Sequence, residues 1–266
     1  MENARLTMPT WLRHPLTSGL EVDDPETTSL RRQIIQQKRF LRRIYEEWYA
    51  LLTSELPARP GPVLELGAGA GFLSEYIPNV ITSDVFACAD IRAVLDGRRL
   101  PFAADSLRAI LMTNVLHHIP EARLFFAEAL RCLSTDGVVL MIEPWVTPWS
   151  NMVSTKFHYE PFDASAEEWD FPTGGPLSSA NGALPWIIFQ RDRSKFQREF
   201  PTWAIKRIQP IMPFRYLVSG GVTMRSFMPG WSFGLWHSFE NILSPWMNQL
   251  GMFALIVLAK KAPHGS

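Results

Sequence analysis

A short apolar run ends in three glycines at every second position, in the segment VLELGAGAG over residues 63–71. A Gly-rich turn after a strand lets the backbone approach a ligand where side chains would collide. An apparent helix, Phe72 to Ile77, follows the turn, and its first N–H groups are expected to face a polar group of that ligand. This order of strand, turn and helix predicts a ligand site at the end of the first strand.

The spacing of the glycines distinguishes two kinds of nucleotide site. A dinucleotide fingerprint, GxGxxG, needs a glycine at position 72, where the chain has Phe72. The form present, E-x-G-x-G-x-G beginning at Glu65, resembles motif I of the class I S-adenosylmethionine-dependent methyltransferases of the type 11-like, small-molecule group. In that family the acid lies near the methionine moiety of the cofactor and the glycines pack against it. The resemblance assigns cofactor contacts to Glu65, Gly67, Ala68, Gly69 and Gly71.

Later segments resemble the same family in the same order. Asp84 follows motif I at about the spacing at which a carboxylate accepts both ribose hydroxyls. The segment LDGRRLPF, residues 95–102, resembles the family's "D-x-x-x-LPF", in which Asp96, with Gly97 beside it, meets the adenine amino group. The segment DSLRAILMTNVLHHIP, residues 105–120, resembles the fourth strand and the turn after it, which implies that Asn114 and His118 line the cofactor pocket.

Methyl transfer to an oxygen atom usually needs a general base with a pKa near working pH, which favours histidine. His158, in the segment HYEPFD, is the best-placed candidate, because nearby carboxylates could orient it. An H-x-E-x-x-D metal site and an ordinary hydrogen-bonded loop remain open there, and no metal is expected. His118 is the second candidate, although it fits a pocket wall better than a base. Glu143, at the end of the fifth predicted strand, could orient an acceptor or simply cap the strand.

The elements that must position these groups alternate between short apolar runs and helices. Strands are expected at 63–66, 79–85, 91–95, 107–115, 137–142 and 253–260, and helices at 121–133 and 239–250. An apolar stripe from Leu30 to Leu52 predicts an N-terminal helix. The fold class is therefore α/β: a Rossmann-like, seven-stranded, mostly parallel sheet with flanking helices, an N-terminal helical extension and an aromatic-rich insertion after strand five.

The chain of 266 residues is interpreted as one methyltransferase domain. Its parts are an extension (1–58), a cofactor-binding core (59–144), an acceptor-side insertion (145–210) and a closing helix and strands (211–266). Lys plus Arg equals Asp plus Glu, at 26 each, which disfavours a nucleic-acid partner. Two cysteines without metal-type spacing favour a reducing, cytoplasmic location. No transmembrane segment is expected, peripheral membrane contact stays open, and the sequence leaves the oligomeric state undetermined.

The sequence thus predicts transfer of a methyl group from S-adenosylmethionine to a small molecule. An oxygen of a sugar, phenol or lipid-linked metabolite is the favoured acceptor. The alternatives are an N- or C-methyltransferase of a lipid or quinone precursor, and a protein that binds the cofactor without turnover. The many tryptophans after Glu143 predict either an aromatic acceptor pocket or a small second core, and the sequence does not decide between them.

Overall fold

The computed structural model describes residues 14–17, 23–157, 160–172, 174–175 and 177–262. Its centre is one seven-stranded sheet with the order β3-β2-β1-β4-β5-β7-β6. Strands β1 to β5 pair in parallel, and β7 runs antiparallel to both β5 and β6. The seven-stranded, mostly parallel sheet predicted from the sequence is therefore confirmed. The strands are β1 (Val63–Leu66), β2 (Ile81–Asp84), β3 (Ala93–Val94), β4 (Leu107–Thr113), β5 (Leu133–Pro144), β6 (Trp203–Ile211) and β7 (Phe253–Lys260).

Helices cover both faces of this sheet, because alternate side chains of each central strand point to opposite faces. Val63, Leu111 and Leu140 pack with the N-terminal helices α1 and α2. Their neighbours Leu64 and Ile110 pack with α3 and the segment 183–200 on the opposite face. The helices are α1 (Pro25–Gln37), α2 (Arg39–Ser54), α3 (Ala122–Cys132), α4 (Pro148–Phe157), α5 (Leu184–Trp186), α6 (Arg193–Glu199), α7 (Arg215–Ser219), α8 (Phe233–Ile242) and α9 (Met247–Leu250), and a π-helical turn, Ile187–Arg191, joins α5 to α6.

The prediction of a helix directly after motif I is wrong. A single 3-10 turn, Leu73–Glu75, stands where a helix from Phe72 to Ile77 was predicted. Pro78 cannot continue a helix, and Asn79 adopts a left-handed conformation with φ of 64°, so the chain turns at once into β2. The Gly-rich turn is therefore supported by other elements than a long helix of its own.

The N-terminal apolar stripe forms two helices, because the chain bends at Lys38. Lys38 is buried, and its Nζ donates to the carbonyl oxygens of Gly221 at 2.5 Å and Met224 at 3.0 Å. Burial lowers the pKa of Lys38 to about 8. The bend thus anchors the loop after α7 to the junction of α1 and α2.

The segment 145–210, the predicted insertion, is built largely from regular elements. It contains α4, α5 and α6, and it ends in β6, which forms an edge of the sheet. An edge strand tolerates Pro210, which lacks the N–H that a central strand would need. The predicted C-terminal helix, 239–250, is divided into α8 and α9 around Pro245 for the same reason. Within the described ranges, no helix has the length and apolar character needed to cross a membrane.

A buried ion cluster joins three helices on one face of the sheet. The side chain of Arg215 is 4% exposed and pairs with both Glu47 of α2 and Glu240 of α8. Glu240 also accepts the backbone N–H groups of Phe214 and Arg215, at 2.8 and 2.7 Å. Glu240 therefore fixes the start of α7 as well as neutralising a buried cation.

We expect Glu240→Ala to lower the free energy of unfolding by about 3 kcal/mol or more, because it removes one partner of a buried charge. Glu121→Ala is the matched control, since Glu121 pairs with Arg98 at the surface and should contribute less than about 1 kcal/mol. Urea denaturation of both variants measures the difference. Equal losses in the two variants would show that the cluster does not hold the helices together.

Candidate active site

A large cavity opens at the carboxyl ends of β1, β2, β4 and β5, the edge where parallel sheets bind ligands. Its volume is about 1280 Å³, above the roughly 300–1,000 Å³ of most small-molecule sites. The lining includes six residues that the sequence assigned to the cofactor: Gly67, Asp84, Asp96, Gly97, Asn114 and His118. The other four do not line it: Glu65 lies in β1, and Ala68, Gly69 and Gly71 lie in the turn that follows.

Steric limits require the glycines of this turn. Gly67 has φ of 69°, and a Cβ there would overlap Val115. A Cβ on Gly69 would overlap Thr28 of α1 and lie 2.7 Å from Asp84 Oδ2. One on Gly71 would lie 2.6 Å from the hydroxyl of Tyr49 in α2. The turn is thus packed between the loop after β4, strand β2 and the two N-terminal helices.

Asp84 is held at the end of β2 by two backbone hydrogen bonds. The N–H of Gly69 donates to its Oδ2 at 3.0 Å, and the N–H of Phe86 donates to its Oδ1 at 3.1 Å. Each carboxylate oxygen retains a further lone pair, and Asp84 lines the cavity. This geometry leaves the residue able to accept hydrogen bonds from a ligand.

The Asp96 carboxylate, predicted to contact adenine, is already bound by a neighbouring arginine. Arg98 donates to both carboxylate oxygens of Asp96 through Nε, at 3.1 Å each, and to Oδ2 through Nη2 at 2.7 Å. These hydrogen bonds hold the pKa of Asp96 below its usual range. A ligand that binds Asp96 must therefore share it with Arg98, which also lines the cavity.

Two polar groups near the turn are buried. Burial raises the pKa of Glu65 to about 8, and the charge of Asp84 adds to this shift, despite the nearby Arg32. Asn114, at φ of 58°, has a buried Oδ1 with no partner in the described chain. Unpaired buried groups of this kind cost free energy unless a ligand satisfies them. They make the region between β1 and β4 a candidate binding site.

Glu143 and His117 form a buried pair at the ends of β5 and β4. Glu143 Oε1 accepts the N–H groups of Val115 and Leu116, both at 2.8 Å, and its Oε2 lies 2.7 Å from His117 Nδ1. Burial alone would lower the pKa of His117. The hydrogen bond to Glu143, with the charges of Glu143 and Glu160, outweighs it, so the pKa lies above its ordinary value.

The tautomer of His117 follows from this contact. A carboxylate only accepts hydrogen bonds, so Nδ1 of the neutral ring carries the proton and Nε2 keeps a lone pair. Nε2 lies 3.9 Å from Glu160 Oε2, and both residues line the cavity. Of this histidine pair, only His118 was predicted from the sequence as a candidate base or cofactor contact. The available signal was that Glu143 and the histidine pair follow strands predicted to be neighbours.

The pKa of His118 is shifted in the opposite direction from that of its neighbour His117. Burial and the charge of His117 lower its pKa to about 4, and its Nδ1 lies 3.3 Å from the carbonyl oxygen of Ser179. It is therefore neutral near neutral pH and a weak proton acceptor. His117, His118 and Glu160 each offer one ligand atom within 4.8 Å of the others, so this cluster is also able to hold a metal ion.

His158, the first candidate for a base, lies outside the described residues, and its role stays a prediction. Glu160 and Asp163 of the same segment are described, and their side chains have different surroundings. Glu160 reaches the cavity, whereas Asp163 accepts hydrogen bonds from Ser165. The segment therefore contributes to the cavity through Glu160.

The N-terminal helices also contribute to the wall. Among the aromatic residues of α2, Tyr45 lines the cavity. Thr28 and Arg31 of α1 accompany it. The tryptophans fit both predicted roles, since Trp149 lines the cavity whereas Trp145, Trp169 and Trp203 are buried in the core.

Comparison with known proteins agrees with this architecture. Residues 64–141 match the family model described as a methyltransferase domain. A chain of the complex that contains the Haloferax volcanii Trm112 methyltransferase activator has 11% identity and a TM-score of 0.52, with 92% of this chain and 100% of that chain covered. An S-adenosylmethionine-dependent methyltransferase from Thermotoga maritima has 12% identity and a TM-score of 0.52, with 89% and 98% covered. No curated protein matches the sequence.

The raised pKa of Glu65 predicts a gain of stability on removing its charge. Above pH 4.5 the unfolded chain ionises this group, whereas the folded chain keeps it protonated up to about pH 8, so wild-type stability falls between these values. Glu65→Gln cannot ionise and should melt at least about 2 °C above wild type at pH 8, the shift that roughly 1 kcal/mol gives in a chain of this size. The difference should vanish near pH 4.5. A variant that melts below wild type at pH 8 would contradict the isolation of this carboxylate.

Proposed function

We propose that this chain is a class I S-adenosylmethionine-dependent methyltransferase that methylates an oxygen atom of a bulky small molecule, with His117 as general base. The observation that carries the proposal is the His117–Glu143 pair. It orients an imidazole lone pair in the same cavity as the motif I turn. The cavity is large enough for donor and acceptor together, which transfer between two bound molecules requires.

The residues around motif I suit S-adenosylmethionine, which supplies an electrophilic methyl group on a sulfonium. We assign the ribose hydroxyls to Asp84 and the adenine to Asp96 and Gly97. The methionine portion would lie against Gly67, with Glu65 and Asn114 as the groups that gain a polar partner. A buried amide oxygen without a partner is a group that the ammonium of such a ligand would satisfy.

The acceptor would occupy the part of the cavity between the end of β5, α4 and the loop after α7. Its walls are largely apolar and aromatic, which suits a molecule with a substantial apolar or ring-shaped portion. They include Trp149, Met152, Phe162, Tyr216, Met224 and Phe227. His117, His118, Glu160 and Lys156 of α4 are titratable groups that also line the cavity.

His117 would take the acceptor's proton as the oxygen attacks the methyl group. Glu143 holds the ring in the tautomer that leaves Nε2 free, and it stabilises the imidazolium that forms. This is the arrangement of a base oriented by a third group, in which the carboxylate itself does not take the proton. His118, with its pKa near 4, would act as a wall and hydrogen-bond acceptor.

The first test concerns the cofactor. Gly69→Val should abolish binding of S-adenosylhomocysteine, because the new side chain displaces Asp84 and Thr28. Gly234→Val is the matched control, since nothing lies within 4 Å of a Cβ at that position. Isothermal calorimetry measures both affinities, and circular dichroism checks the fold. Undiminished affinity in folded Gly69→Val would remove the cofactor from this turn.

The second test concerns the base and needs an acceptor first, found by screening sugars, phenols and lipid-linked alcohols with radiolabelled cofactor. His117→Asn keeps a donor for Glu143 and should lower turnover by ~10²–10⁴-fold, with unchanged S-adenosylhomocysteine affinity. His118→Asn is the control, because it replaces the neighbouring imidazole of the same cavity and leaves His117 in place. Wild-type activity should rise with pH through a pKa above 6.5, because only the neutral ring accepts a proton.

Glu143→Gln separates a base from a structural role, because it removes the charge that raises the pKa of His117. The rising limb of the pH profile should then move to lower pH. Activity in His117→Asn above about a tenth of wild type would contradict the base and favour a nitrogen or carbon acceptor that attacks without one. Loss of wild-type activity on chelation, restored by a divalent cation, would make His117 a metal ligand instead.

A further inference from the structure

Large apolar side chains are exposed along α8 and in the segments on either side of it. Trp231 is 77% exposed, Leu235 67% and Ile242 70%, and Phe239 and Trp246 are also exposed. Leu235, Phe239 and Ile242 recur at the spacing of one helix face. The opposite face of α8 contributes Phe233 and Glu240 to the interior. We name the exposed set, with Phe227, the α8 face.

Positive charge borders the α8 face, and the acidic neighbour of α8, Glu47, which lies 4.0 Å from His237 Nε2, is paired with the buried Arg215. Glu240 is the only acidic residue between positions 225 and 266, and it is buried against Arg215. Arg39, whose Cβ lies 2.9 Å from where a Cβ on Gly230 would be, and the exposed Arg225 border the face. The Arg43 guanidinium stacks over Phe233 at 4.4 Å. No described acidic residue forms an ion pair with any of these three arginines.

The α8 face is continuous with the cavity. Phe227 is 46% exposed and also lines the cavity, as do Val222, Thr223 and Met224 of the same loop. Lys38 fixes that loop by donating to Gly221 and Met224. A molecule held at the α8 face would therefore lie beside one opening of the proposed acceptor site.

We propose that the α8 face docks on a lipid bilayer that carries anionic headgroups, and that the methyl acceptor is a membrane-embedded lipid or lipid-linked molecule. Tryptophans at the margins, an apolar helix face and a cationic border are the features of helices that lie in the membrane interface. Exposed apolar surface of this extent is otherwise uncommon on a monomer. The identity of the acceptor rests on the proposed function, whereas membrane binding does not.

Sedimentation with sucrose-loaded vesicles tests the docking without cofactor or turnover. One set of vesicles is phosphatidylcholine alone, and in the other a quarter of the lipid is phosphatidylglycerol. The wild-type chain should bind the anionic set more tightly, and rising salt should weaken this difference. A triple variant, Trp231→Ser with Leu235→Ser and Ile242→Ser, should lose tenfold or more in partition, since burying each such side chain shifts an equilibrium by roughly tenfold or more.

Matched controls separate the surface from a general loss of fold. Leu124→Ser removes an exposed leucine on α3, on the opposite side of the sheet, and should bind as wild type. Arg39→Gln with Arg225→Gln should weaken binding to anionic vesicles, whereas Arg198→Gln, an exposed arginine of α6, should not. Unaltered melting temperatures and S-adenosylhomocysteine affinity in the triple variant would confine its effect to the surface.

Three results would overturn the proposal. The wild-type chain could fail to bind either vesicle set, or the triple variant could bind as tightly as wild type. Light scattering could also show a wild-type dimer that the triple variant dissociates, which would assign the α8 face to a second copy of the chain. Vesicle binding with methyl transfer only to a water-soluble acceptor, or with none to any lipid fraction, would overturn only the lipid acceptor. The absence of methyl transfer to any acceptor would contradict the proposed function separately.

Discussion

The carboxylate of Glu143 is the contact on which the candidate site depends. β4 and β5 are parallel neighbours with Thr113 opposite Ile142, so their carboxyl ends meet at one edge of the sheet. From there Glu143 satisfies two backbone N–H groups of the loop after β4 and binds His117. A fully buried carboxylate needs such partners, since an unpaired charge there would be very costly. The same contacts that satisfy the charge therefore fix the loop, the imidazole and the wall of the cavity.

The N-terminal helices support the Gly-rich turn, in place of a long helix after motif I. Only one 3-10 turn follows the glycines, so Tyr49 of α2 accepts the N–H of Phe72, and Thr28 of α1 packs against Gly69. Lys38, at the bend between the two helices, fixes the loop that lines the far side of the cavity. The extension is therefore part of the site, and both the cofactor region and the proposed acceptor region depend on its position.

The sequence predicted what depends on local pattern. Short apolar runs located β1 and β7, and the glycine spacing located the turn and distinguished it from a dinucleotide site. Prediction from the sequence failed where contacts between distant segments determine the structure. β6 is an edge strand with polar and proline residues, so its run has no clear periodicity. The role of His117 depends on Glu143, 26 positions away, and two adjacent histidines give no local signal of which one is buried against a carboxylate.

The central claim is that donor and acceptor share one cavity with His117 where they meet. The most direct measurement is a crystal structure with S-adenosylhomocysteine bound. We predict adenosine between Asp84 and Asp96, the amino acid portion against Gly67, and the sulfur facing the part of the cavity that contains His117 and Glu160. A ligand whose sulfur faces away from His117, or whose binding breaks the contact between His117 and Glu143, would contradict the account.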